Sequence, residues 1–180
     1  MAFPLEHWNN PRHTIASRYE DNDFAYVTHG AKCAMQVLTH CNILASEAKH
    51  MTILDYGCGT GRTALFLSYY FGKVIGYDPN EYCIQEALKE NEKSDVRKGN
   101  LIFTSDLKTV PKCHLAYSIN VIEHLPRDTA FEMIANLKEK VNDYSLLWYS
   151  PKRNKLLEPY IISSPWDADN KHILIDKFKF

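Results

Sequence analysis

Residues 53–61 read ILDYGCGTG, an apolar run that enters an aspartate and then meets glycine at three alternate positions. The chain of 180 residues has only seven glycines, and three of them, Gly57, Gly59 and Gly61, stand here. Glycine adopts positive φ at little cost and lets another group approach the backbone, but it weakens a regular element that contains it. The run before the glycines is too short for a helix and reads as a strand. Residues 62–71 then return to helical spacing. The stretch is therefore a strand, a loop poor in side chains and a helix start. Such a loop either seats a ligand against bare backbone and unpaired N–H groups, or is only a tight turn.

The same alternation extends in both directions. Upstream, residues 30–50 place Ala31, Ala34, Met35, Val37, Leu38, Cys41 and Leu44 at helical spacing. Residues 1–29 are polar and aromatic, interrupted by Pro4 and Pro11, and read as an N-terminal arm. Downstream, residues 73–77 (KVIGY) form a strand buried on both faces, and residues 80–92 a helix that Asn80 caps. Strands follow at 101–104 and 115–119. A helix over 128–141 carries Phe131, Ile134, Leu137 and Val141 on one stripe, and a fifth strand spans 144–149. Strands and helices taking turns predict an α/β, doubly wound, mostly parallel sheet with helices on both faces. A single domain over residues 1–180 is expected: the arm (1–29), a core (30–150) and a shortened C-terminal segment (151–180).

The bulk composition narrows the function classes. With 45% hydrophobic residues there is enough apolar side chain for one core, and a net charge of -1 gives no global signal for nucleic acid or an anionic membrane surface. A nucleic-acid partner is possible but would need a local patch. No stretch approaches the roughly 18 apolar residues of a membrane span, and the N-terminus lacks the pattern of a secretory signal. Five cysteines form an odd set without a CxxC pair, which reads as buried small hydrophobes in a reducing, cytoplasmic setting.

Two classes of nucleoside ligand use a glycine loop of this kind. Dinucleotide enzymes carry GxGxxG, whose last glycine is here Arg62, so that pattern fails. What stands instead is Asp55 followed by GxGxG. ILDYGCGTGRTALFLS resembles motif I of the class I S-adenosylmethionine-dependent methyltransferases, and the similarity continues in order over roughly residues 50 to 150. VIGYDPNEYCIQEA resembles the second motif and puts Asp78 where the family's acidic residue accepts hydrogen bonds from the ribose hydroxyls. FTSDL offers Asp106 for the adenine amino group, with Leu107 beside it, although a plain surface turn also explains Asp106. AYSINVIEHLP resembles the fourth motif and brings Asn120 to the methionine half of S-adenosyl-L-methionine. The cofactor-binding set implied by the resemblance is Asp55, Gly57, Gly59, Gly61, Asp78, Asp106, Leu107 and Asn120. Asp55 otherwise caps the loop, Asp78 otherwise starts a helix, and Cys58 fills space.

The resemblance implies a cofactor that already carries an activated methyl group, so a general base is needed only where the acceptor must lose a proton. His124, next to Glu123, is the candidate base, or else merely begins the helix at Pro126. Some relatives show E-x-x-E-H at this place, and in small-RNA enzymes those side chains help hold a divalent metal. Here the segment is N-V-I-E-H, with Asn120 for the first glutamate, so no metal is expected. Tyr19 and Tyr26 are candidates for a lid over the cofactor. The basic run Lys152, Arg153, Lys155 reads as a solvated loop or a phosphate contact, and His172 as a surface or site residue. The family's sheet commonly has seven strands. Ile173, Ile175 and Phe178 here suggest one added edge strand, leaving either a reduced domain or an edge that a protein partner covers.

The expected function is methyl transfer from S-adenosylmethionine to oxygen or nitrogen of a small molecule or a nucleic-acid group. The alternative is a non-catalytic, cofactor-binding module that serves a partner enzyme.

Overall fold

The computed structural model describes residues 23–41, 43–94 and 99–148. Helix α1 (Asp23–Cys41) and a single turn α2 (Ala45–Ala48) precede strand β1 (Thr52–Tyr56). Then come α3 (Arg62–Leu67), β2 (Lys73–Tyr77), α4 (Glu81–Lys93), β3 (Leu101–Thr104), β4 (Cys113–Ile119), α5 (Arg127–Lys140) and β5 (Val141–Trp148). The five strands form one sheet in the order β3-β2-β1-β4-β5, and every neighbouring pair is parallel. This is the doubly wound α/β arrangement that the alternating sequence predicts.

Strand alternation sorts the core into two layers. Ile53, Val74, Leu101, Leu115 and Tyr117 pack with Ala34 and Val37 of α1, Ala64 and Leu67 of α3, and Ile84 and Ala87 of α4. On the other face Leu54, Tyr56, Ile75, Tyr77 and Ala116 pack with Ala130, Met133, Ile134 and Leu137 of α5. Burial on both faces explains why β1 and β2 read as continuous apolar runs. The connection from β3 to β4 carries only a short 3₁₀ turn (Leu107–Thr109) and passes on the α5 side, where Val110 is buried and its carbonyl accepts from Lys140 Nζ at 3.0 Å. Without a helix there, Ile102 of β3 stays 42% exposed.

The helix expected over 30–50 proves to be two elements. It starts earlier, at Asp23, and the short α2 follows a break. The sequence reading placed a boundary at Gly30, yet this glycine lies inside α1 and serves helix packing. A Cβ there would stand 2.6 Å from Arg62 Cγ and 2.7 Å from the Arg62 carbonyl oxygen, so α1 reaches α3 only because none is present. Likewise α3 ends at Leu67, before residue 71, where the Ser68 hydroxyl donates to the Leu65 carbonyl at 2.6 Å. Asn80 caps α4 as expected, its side chain accepting from the Tyr82 N–H at 3.0 Å. Tyr19, the basic run at 152–155, His172 and the added edge strand lie outside the described residues.

One ring locks the sheet to the glycine loop. Phe103 of β3 lies over both Gly76 of β2 and Gly61: a Cβ on either would come within 2.4 Å of the ring. Gly76 has an ordinary backbone, so its requirement is purely steric. Gly76→Ala should cost about 1–3 kcal/mol in urea unfolding, and Phe103→Leu should recover part of that loss in a double-mutant cycle. Strict additivity of the two changes would show that the ring does not set the requirement.

Candidate functional site

Sheet order gives the site its location. The sequence neighbours β1 and β2 are adjacent, but on its other side β1 pairs with β4, so the winding reverses between β1 and β4. Ligands of doubly wound sheets bind outside the carboxyl ends of the strands at this reversal. The order also sets the segments after four strands in a row along the sheet's carboxyl edge: Asp106 after β3, Asp78 after β2, the glycine loop after β1 and Asn120 after β4.

The loop is shaped by backbone bonds to β2. The N–H groups of Gly57 and Cys58 both donate to the Tyr77 carbonyl, at 2.7 and 3.0 Å, and the Gly61 N–H donates to the Cys58 carbonyl at 3.0 Å. Asp78 completes the frame: its Oδ2 accepts from the Gly59 N–H and its Oδ1 from the Asn80 N–H, each at 2.9 Å. A carboxylate has about four acceptor positions, so two filled ones leave capacity for a vicinal diol.

The three glycines have different reasons. Gly57, Gly59 and Gly61 all have positive φ (80°, 54° and 78°). At Gly57 a Cβ would collide with Val121 Cγ2 at 2.5 Å, and at Gly61 with Phe103, so packing within the protein demands both. Around Gly59 no atom lies within 4 Å of where a Cβ would stand. The protein leaves that side of the loop open.

The open side is a cavity of about 490 Å³, within the usual range for small-molecule sites. Asp55, Gly57, Gly59, Asp78 and Asn120 line it, as does His124. It wraps over the sheet edge, from Tyr26, Cys33 and Thr63 on the α1–α3 side to Thr129, Met133 and Asn136 of α5. Asp55 is 4% exposed, and burial pushes its carboxyl up to about 7. The neighbouring Tyr117 phenol works against that rise without reaching strict hydrogen-bond geometry, Asp78 adds to it, and Arg62 weakly opposes it. Burial also raises Asp78, and its two backbone bonds reverse only part of that rise.

Asn120 is the single non-glycine residue with positive φ among the described residues, at 55°. Asparagine tolerates that region better than glutamate would, which fits its presence where some relatives carry glutamate. His124 ends a short 3₁₀ turn (Ile122–His124) at the cavity wall. Asp106 and Leu107, expected at the adenine, do not line the cavity. Asp106 is exposed and caps the 3₁₀ turn by accepting from the Lys108 N–H at 2.9 Å, while Leu107 packs against the α5-side core. Cys58 is a free thiol raised by burial, consistent with a space-filling role. Tyr26 fastens the loop: its hydroxyl lies 2.6 Å from Thr60 Oγ1 and donates to the Thr60 carbonyl at 3.2 Å. Among the described residues no group of three His, Cys, Asp or Glu is placed to hold a metal, and no helix is long and apolar enough to cross a membrane.

The sequence reading missed Tyr117 and treated Arg62 only as a mismatch. Both line the cavity. Tyr117 is found through register, since it pairs with Asp55 across β1 and β4 and so shares its face.

Residues 27–150 match the family model described as a methyltransferase domain. The chain belongs to the class I S-adenosylmethionine-dependent methyltransferases. This methyltransferase is similar to magnesium protoporphyrin IX methyltransferase from Synechocystis PCC 6803 with bound SAH, at 22% identity and a TM-score of 0.65, covering 86% of this chain and 74% of that one. The SAM-bound form of that protein aligns at 20% identity and TM-score 0.62, over 94% and 87% of the two chains. TehB from Haemophilus influenzae is similar at 23% identity and TM-score 0.51, over 66% and 40%. Among curated proteins none matches in sequence. The family uses S-adenosylmethionine, and the residues present fit it. The bare space at Gly59 adjoins a carboxylate that can take two hydroxyls.

Two outcomes follow from this methyltransferase's geometry. Gly59→Ala should cost about 1–2 kcal/mol of stability through its positive φ yet abolish detectable S-adenosylhomocysteine binding by calorimetry; retained binding would mean that the open space is not the cofactor's. The second concerns pH. Asp55 ionises near 3.8 when unfolded and about 7 when folded, so its contribution to stability is full below about 4 and is lost as pH rises through about 7. A cofactor that presents a cation to Asp55 favours the ionised form, so affinity should rise about tenfold between roughly pH 6 and pH 8. Asp55→Asn should flatten that profile.

Proposed function

We propose that the chain transfers a methyl group from S-adenosylmethionine to an oxygen or nitrogen of a small molecule or nucleic-acid group. The observation that carries this reading is the Gly59 opening beside Asp78, at the reversal between β1 and β4. When bound there, the cofactor supplies a methyl group already activated on sulfonium. The protein's own contribution is then mainly orientation, which is worth on the order of 7–11 kcal/mol at best when reacting atoms are held in line. Asp78 and the loop backbone fix the nucleoside, and the Asn120 turn closes the other end of the seat. An acceptor bearing a proton must lose it as it gains the methyl group, and we assign that proton to His124 at the cavity wall.

The test is incubation of the full chain with labelled S-adenosylmethionine and, separately, cell extract and bulk RNA. Label appearing in a small-molecule or RNA fraction supports the reading and tells the two acceptor classes apart. Cofactor binding with no transfer to any fraction would overturn catalysis. With an acceptor in hand, His124→Gln should lower kcat by about 10²–10⁴ while S-adenosylhomocysteine affinity stays within about twofold; an unchanged kcat would remove the base assignment.

A further inference from the structure

The α5 side of the cavity carries groups that neither the glycine loop nor Asp78 uses. Thr129, Glu132, Met133 and Asn136 follow helical spacing along α5, and all four line the cavity. Tyr56 and Tyr77, the last residues of β1 and β2, line it on the sheet side, their rings meeting edge to face with centroids 4.9 Å apart. The Tyr56 hydroxyl accepts from Asn136 Nδ2 at 3.3 Å, which leaves the amide carbonyl oxygen of Asn136 as a further acceptor. Glu132 makes no hydrogen bond or ion pair among the described residues. Its carboxylate still lies near enough to both phenols to add to the upward push that burial gives them. Among the described residues no lysine or arginine lines the cavity on this side, so Glu132 sets its charge.

We propose that this side of the cavity binds the methyl acceptor, a small amine held as its ammonium by the Glu132 carboxylate, the Asn136 carbonyl oxygen and the tyrosine pair. The proposal rests on the methyltransferase reading and narrows its acceptor to nitrogen. An ammonium offers only donors. It gains from a carboxylate and from an aromatic face within about 6 Å. An acid or a phosphate would meet bare acceptors and a like charge, so a nucleic-acid strand is repelled where an amine is held. While it is an ammonium, the nitrogen has no lone pair to give. It yields one proton to His124 on the same cavity wall, and the freed lone pair forms the N–C bond as the S–C bond breaks. The electron pair of that bond stays on sulfur. Ammonium and sulfonium thus become a methylated ammonium and a thioether, with one proton released.

Ligand-observed NMR on the full chain saturated with S-adenosylhomocysteine tests the assignment. The probes are small primary and secondary amines, each matched with the alcohol and the carboxylic acid of the same carbon skeleton. Saturation keeps the nucleoside seat filled, so an amine signal reports a different place. Amines should bind about tenfold or more tightly than their alcohols, and the acids should not bind. Glu132→Gln should weaken the amines about ten- to a hundredfold and leave the alcohols and S-adenosylhomocysteine within about twofold. Position 132 is exposed, so melting should not change. Glu132→Lys should turn the preference toward the acids. With labelled S-adenosylmethionine, label should move to the amines that bind. No amine binding, amines no tighter than alcohols, unchanged amine affinity in Glu132→Gln, or label on RNA and on no amine would each overturn the assignment with the family reading intact. Loss of S-adenosylhomocysteine binding in Glu132→Gln would also overturn it, because the carboxylate would then serve the cofactor. Failure of the unmodified chain to bind S-adenosylhomocysteine would instead overturn the methyltransferase reading.

Discussion

The Asp78 carboxylate is the constraint on which the site depends. With one oxygen on the Gly59 N–H and the other on the Asn80 N–H, it ties the loop after β1 to the start of the helix after β2. Tyr77 reinforces the tie through its carbonyl, which accepts from the Gly57 and Cys58 N–H groups. Taking a carboxylate out of water is costly unless it is hydrogen-bonded, and these bonds offset part of that cost while burial still holds the Asp78 carboxyl above its usual range. The same group that would hold a ribose is therefore also the group that shapes the loop around it. Two readings of Asp78, as turn former and as diol acceptor, describe one arrangement.

Much of this was legible in the sequence because its signals are local. Five strands and the alternating helices follow from run length and spacing, and Asn80 as a cap follows from its place before a periodic segment. The glycine loop needed only its position after an apolar run, whereas the role of Asp78 came from the resemblance of its segment to a family motif. What sequence could not supply was sheet order. Register alone pairs Asp55 with Tyr117, and the winding reversal alone brings Asn120 to the glycine loop. Gly30 misled for a related reason: glycine within helical spacing signals a boundary or a close packing contact equally, and only the proximity of Arg62 decides.

The three glycines make the same point at finer scale. They are identical in sequence and alike in backbone, yet Gly57 answers to Val121, Gly61 to Phe103, and Gly59 to nothing in the protein. Spacing could announce that something is admitted; only the neighbours tell which residue admits it. Asp106 shows the converse. Its place in the chain matched a family role, but it lies outside the cavity lining and its carboxylate caps a short turn, the behaviour expected of aspartate at turns.

Phe103 ties this seat to the periphery of the fold. Among the described residues its strand is the outermost of the sheet, paired with β2 alone and with Ile102 partly exposed, and margins of this kind fray before the centre does. Because the same benzyl group packs against both Gly61 and Gly76, transient detachment of that outer strand would slacken the glycine loop while α5 and the central strands stay intact. Warming would then silence the protein some degrees before it melts.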